Sequence, residues 1–169
     1  CGALINESTD KLVLDLLYKK TGGRYWKKHE GWNEPDVEYC KWQGVECDSN
    51  KNVIELNLMG FGLQGTVPDS IFDLSALKML SLTNNDKVDI SLKQLNLAKN
   101  LITLKLSNTH LRSLTGLEKG TSTKITELHL AGNQLVGSFP TELTKLTGLK
   151  QVFLNNNLFS GSLPPAISD

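Results

Sequence analysis

A repeat constrains this chain more than any other feature. From Val53 the sequence falls into blocks of 24 residues that begin at Val53, Leu77, Leu101, Ile125 and Leu149. The fourth residue of the blocks is Leu56, Leu80, Leu104, Leu128 and Val152, and the sixth is Leu58, Leu82, Leu106, Leu130 and Leu154. The phase holds without insertion through all five. Leu-x-Leu alternation is strand periodicity, with both leucines on one face. One short strand cannot bury that face alone, so successive blocks must stack into a parallel sheet over a continuous core.

The ninth residue of the blocks is Phe61, Asn85, Thr109, Asn133 and Asn157. An Asn amide there is expected to hydrogen-bond backbone groups of adjacent coils where the chain leaves the strand. Phe61 and Thr109 interrupt that ladder. Phe61 can stack on a neighbouring coil and Thr109 offers only a hydroxyl, so these two coils are expected to be less regular. Three blocks also share Leu63-x-Gly65-x-Val67-Pro68, Leu135-x-Gly137-x-Phe139-Pro140 and Phe159-x-Gly161-x-Leu163-Pro164 at the same offsets. Gly permits a tight bend and Pro ends backbone pairing. Blocks two and three lack both. Block two instead spaces Leu92, Leu95 and Ala98 by three, which predicts a helical turn on the outer side.

Residues 1–52 do not repeat. Ser8-Thr9-Asp10 precedes Leu12, Val13, Leu16 and Leu17, a helical stripe with a candidate N-cap, and Thr21-Gly22-Gly23 ends it. Trp26, Trp32 and Trp42 follow, and their expected role is to cover the open end of the leucine core. Cys40 and Cys47 stand seven apart. A zinc site needs about four ligands, and no second Cys or His pair lies nearby. A disulfide holding this lid to the first strand is therefore expected, with an oxidising compartment. Cys1 is left over, and Asn6-Glu7-Ser8 is a glycosylation sequon if the source is eukaryotic. No signal peptide stands at the start, Cys-Gly-Ala-Leu, so any export signal is expected to be already removed or to lie outside this sequence.

Composition narrows the function. Lys+Arg and Asp+Glu number 18 each, a balance that disfavours a phosphate-tracking nucleic-acid binder. No apolar run approaches the ~20 residues of a membrane span. No nucleophile elbow, zincin or Walker motif is present. Ser75-x-x-Lys78 has a Ser–Lys spacing but lacks companions, His29 lies in a charged loop, and His110 sits past a strand end. A binding role is expected rather than an enzyme, and no cofactor is implied.

Recognition is then expected at block positions three, five and seven, which face away from the core. They make three rows. The first is Glu55, Met79, Thr103, Glu127 and Gln151; the second is Asn57, Ser81, Lys105, His129 and Phe153; the third is Met59, Thr83, Ser107, Ala131 and Asn155. At ~4.8 Å between strands, five strands present a face roughly 19 Å wide. Phe153 and Met79 are the expected apolar contacts. His129 has Lys105 and Phe153 on neighbouring strands and Glu127 two residues away. One carboxylate with an opposing lysine does not make a metal or acid–base site. The rows are too irregular for an ice or mineral surface.

The repeats resemble the plant-type extracellular leucine-rich repeat, Leu-x-x-Leu-x-Leu-x-x-Asn-x-Leu-x-Gly-x-Ile-Pro. The stretch Leu17-Tyr18, Thr21-Gly22-Gly23, Trp26, Gly31-Trp32, Cys40-x-Trp42-x-Gly44-Val45-x-Cys47 resembles the amino-terminal cap of that family. The resemblance implies an α/β solenoid, a right-handed leucine-rich-repeat superhelix with a parallel concave β-sheet. Residues 1–52 would be the helical cap and 53–169 five repeats, the last incomplete and without a carboxy-terminal cap. A longer chain, or a partner closing the core, is implied there. The family's members are receptor ectodomains, co-receptors, inhibitors of polygalacturonases and adhesins. The implied function is a secreted or cell-surface module binding a protein or glycan on its concave sheet, with no nucleic acid and no direct membrane insertion, although an anchor outside this chain is compatible. The alternative is an inhibitor of a secreted polysaccharide hydrolase, which the mixed charge of the concave face disfavours.

Overall fold

A computed structural model describes residues 8–162. Cys1, the sequon at Asn6 and the Leu163-Pro164 pair lie outside the described residues. The chain opens with helix α1 (Thr9–Lys20), whose buried stripe is Asp10, Val13, Leu14 and Leu17. Its N-cap, Ser8, makes no side-chain cap bond; instead the Tyr39 hydroxyl donates to the Lys51 carbonyl at 2.5 Å and lies 3.1 Å from Ser8 Oγ. Asp10 is spent on the solenoid: its Oδ2 accepts the Val53 N–H at 2.8 Å. The helix ends as expected, with the Thr21 N–H and hydroxyl on the Leu17 carbonyl and Gly22 left-handed at φ 70°.

The main sheet has six strands in the order β1 (Val45–Cys47), β2 (Val53–Asn57), β4 (Met79–Ser81), β6 (Thr103–Lys105), β7 (Glu127–His129) and β9 (Gln151–Phe153). β1 is antiparallel to β2, and every later pair is parallel with a register of 24, as in Leu56↔Leu80, Leu80↔Leu104 and Leu104↔Leu128. The leucines at block positions four and six in the first four blocks are fully buried. Each such side chain removed from water contributes about 1.5–3 kcal/mol against the chain's ordering entropy.

Asn at position nine stitches the coils. The Asn85 amide carbonyl accepts the N–H groups of Gly62 and Leu63, and its NH2 donates to the carbonyls of Leu58 and Leu82. Asn133 repeats this one turn on: its carbonyl accepts from the Thr109 and Leu111 N–H groups, and its NH2 reaches the Leu106 and Leu130 carbonyls. Thr109 fits by donating to the Leu106 carbonyl. Phe61 stacks edge-on against Trp26 at 5.8 Å, joining the first coil to the cap. Position eight carries a rule of its own. Gly60, Asn84, Asn108, Gly132 and Asn156 all have φ between 51° and 68°, the left-handed conformation that Gly and Asn adopt at least cost.

The cap is built as a lid. Trp26, Trp32 and Trp42 are each 3% exposed or less, and their indole N–H groups donate to the carbonyls of Thr21, Gln43 and Val37. Cys40 and Cys47 are disulfide-bonded. On the other side of the solenoid the second sheet is broken into two pairs, β3 (Gln64–Thr66) with β5 (Lys87–Asp89), and β8 (Val136–Gly137) with β10 (Leu158–Phe159). Block three has no strand there, whereas block two does despite lacking Gly and Pro. The spacing of Leu92, Leu95 and Ala98 forms a 3-10 turn over Leu95–Leu97, with all three side chains buried. Among the described residues no helix is long and apolar enough to cross a membrane.

Candidate functional site

The parallel register sets the expected rows side by side. Glu55, Met79, Thr103, Glu127 and Gln151 pair in sequence across the sheet, as do Asn57, Ser81, Lys105, His129 and Phe153. The third row lies just past the strands. There the carbonyls of Thr83, Ser107, Ala131 and Asn155 accept the N–H of position eight in the preceding coil. Ser81 departs from the expectation. It is only 3% exposed, so it packs within the sheet surface and offers no contact area. Met59 and Phe153 are the open apolar positions, at 48% and 43% exposure, while Met79 is half-buried.

The second row and its neighbours form a cluster around Glu127. His129 Nε2 lies 2.5 Å from Glu127 Oε1, Lys105 Nζ lies 3.7 Å from the same oxygen, and Thr103 Oγ1 lies 3.5 Å from Oε2. The His129 hydrogen bond, with the charges of Lys105 and His129, holds the Glu127 carboxyl below the ordinary glutamate range against the opposing effect of burial. The His129 ring in turn lies 4.5 Å from that of Phe153, tilted by 39°. A fixed carboxylate, an amine, an imidazole and an open phenyl thus occupy three adjacent strands. They offer orientation by charge and hydrogen bonding beside apolar area, the mixture that interface centres use.

One acidic position was missed by reading only the repeat. Glu46 on β1 pairs directly with Glu55, so both carboxylates share the concave face. The face therefore spans six strands, about 24 Å, and its first edge is acidic. The signal lay in Val45-Glu46-Cys47, a short alternation inside the cap. His110, half-buried past β6, is hydrogen-bonded to Arg112, and His29 is exposed; neither joins the cluster.

Known proteins agree with this architecture. The family described as leucine rich repeat N-terminal domain matches residues 24–48, and the leucine rich repeat family matches residues 124–146 and 148–169. Pollen receptor-like kinase 2 of Arabidopsis thaliana is 31% identical over 144 residues, covering 80% of this chain and 21% of that protein. The chain spans about a fifth or less of the length of the first curated relatives it matches. Among solved structures, the Arabidopsis receptor kinase HAESA, in complex with the peptide hormone IDA and the co-receptor SERK1, superposes with a TM-score of 0.82. It is 27% identical, over 95% of this chain and 27% of that one. The BIR3–SERK2 complex of Arabidopsis thaliana gives 0.79 at 26% identity, over 94% of this chain and 87% of that one. The cap, the disulfide, the 24-residue register and these likenesses together place the chain outside the cell or at its surface. It belongs to the plant-type extracellular leucine-rich-repeat proteins that carry a Cys-containing N-terminal cap.

Proposed function

We propose that this chain is an extracellular recognition module in which residues 1–52 cap five repeats over 53–169, and whose concave sheet binds a peptide or a protein segment. The observation that carries the reading is the cluster of Thr103, Lys105, Glu127 and His129 beside the open ring of Phe153. Ion pairs on an exposed face add little to stability, whereas charge fixed beside an aromatic surface gives a partner both register and contact area. The likeness to HAESA, solved with a peptide hormone and a co-receptor, supports a protein ligand over a glycan on this face. The experiment is to screen secreted peptides and ectodomains against the isotope-labelled chain and to map amide shifts for any binder. Shifts centred on residues 103–105, 127–129 and 151–153 are expected. Shifts confined to the cap or to the β3–β5 side would remove the concave assignment.

A further inference from the structure

The cap carries a second surface that the lid role does not use. A cleft of about 920 Å³ opens between one face of α1 and the 33–35 loop, within the size range of small-molecule sites. Its geometry is set by two glycines. Gly22 is left-handed, and a Cβ on Gly23 would stand 2.1 Å from the Tyr18 ring, so only Gly lets that ring lie flat over the turn. The turn then projects Arg24 and Tyr25 along the rim of the cleft. Tyr25 is 66% exposed, and the Arg24 guanidinium stacks over its ring at 4.6 Å.

The polar accounting of the cleft points to an anion. Of its two carboxylates, Asp15 is paired with Lys11 at 2.7 Å, and Glu34 accepts the Gly31 N–H at 3.3 Å. Against them stand Lys11, Lys19 and Arg24, a surplus of one positive charge. Lys19 is accounted for in part by its place in the last turn of α1. Arg24 lies in the three-residue 3-10 turn Gly23–Tyr25, too short to carry a comparable dipole. Among the described residues neither cation has a carboxylate partner, and the hydroxyls of Tyr18 and Tyr25 have no protein hydrogen-bond partner. This contrasts with the three tryptophans and Tyr39, whose polar ends are all satisfied within the cap. The lining is a helix face and turns, with no strand edge for a peptide backbone to pair with.

We infer that this cleft binds an acidic oligosaccharide, one whose uronate carboxylate meets Arg24 and Lys19 while a sugar ring lies on Tyr25. A guanidinium held on an aromatic face presents planar donors to a carboxylate. The exposed ring offers a flat apolar surface to pyranose C–H groups, and the two free phenols match sugar hydroxyls. Charge complementarity selects the acidic saccharide over a neutral one. The site is separate from the concave cluster and stands whether or not that face binds a peptide.

The test uses calorimetry and amide-shift mapping with an α-1,4-linked galacturonate hexamer as probe. Maltohexaose, of the same length and linkage, is the neutral control, and hexaglutamate is the acidic peptide control. Saturable binding of the galacturonate hexamer is expected, with shifts at Tyr18, Lys19, Arg24 and Tyr25. Both controls should bind at least tenfold more weakly. Arg24→Gln and Tyr25→Ala should each weaken binding tenfold or more with melting unchanged, since both side chains are exposed. The combined Lys105→Ala, His129→Ala, Phe153→Ala variant should bind the hexamer like the wild type, which separates this site from the concave one. Absence of saturable binding, or equal affinity in the Arg24 or Tyr25 variant, overturns the proposal. So does maltohexaose or hexaglutamate binding as tightly as the uronate.

Discussion

At Glu127 a single carboxylate is held by an imidazole at 2.5 Å and an amine at 3.7 Å. Its pKa is lower folded than unfolded, so the ionised form supports the folded state. That support is fully present above the ordinary glutamate value and is lost as pH falls through the depressed folded value. Carbon-detected NMR titration should find its midpoint below that of a free glutamate, and His129→Ala should move it upward, because the largest cause of the shift is gone. An unmoved midpoint would show that the pair is not formed in solution. Asn85 poses a different question, since its five hydrogen bonds serve backbone groups of two coils. Asn85→Leu should cost on the order of 3 kcal/mol in denaturant unfolding, because the Gly62 and Leu63 N–H groups lose the side-chain carbonyl that accepts them. Asn157→Leu should cost less, being half-buried with only three such bonds. The role of these asparagines was readable from their spacing. The burial of Ser81 was not, because alternation gives the direction of a side chain and not how far its neighbours close over it. The left-handed position eight was readable in principle, since each block carries Gly or Asn there, but its signal is conformational and leaves no trace in hydrophobic pattern.

Among the elements, the cap depends on a loop closed by a disulfide at a sequence separation of 7. Closing a loop of that size contributes about 2–3 kcal/mol. Cys40→Ser should therefore lower cap stability by that amount, and Trp42 should become accessible to quencher before the later repeats melt. Simultaneous loss of all tryptophan and repeat signals would mean that cap and solenoid unfold as one unit. Strand β9 is the most exposed part of the main sheet. Val152 is 37% exposed, whereas its counterparts Leu56, Leu80, Leu104 and Leu128 are 0%. Hydrogen exchange should be fastest there among the parallel strands; protection equal to that of β6 would contradict this. The main sheet was legible because its leucines report burial directly. The second sheet was not legible in the repeat. Strand β5 carries neither the Gly nor the Pro of the other blocks; it is held by the buried Val88 and by the Val67 N–H on the Asp89 carbonyl at 2.9 Å.

The whole molecule is a stack in which each coil contacts its neighbours, one end closed by aromatic side chains and one face left polar and mixed. Recognition spread over such a face is robust to single surface changes unless one aromatic contact dominates. Here Phe153 is the open ring, His129 lies against it, and Lys105 extends the row with charge. None of the three packs into the leucine core, so their removal should leave stability within about 0.5 kcal/mol of the wild type. The most direct measurement is the affinity of a captured peptide or ectodomain for the wild type and for the Lys105→Ala, His129→Ala, Phe153→Ala variant, with melting followed in parallel. The concave reading predicts an affinity loss of about 2 kcal/mol or more at an unchanged melting temperature. A partner held equally well by both proteins would contradict it and move recognition to another surface.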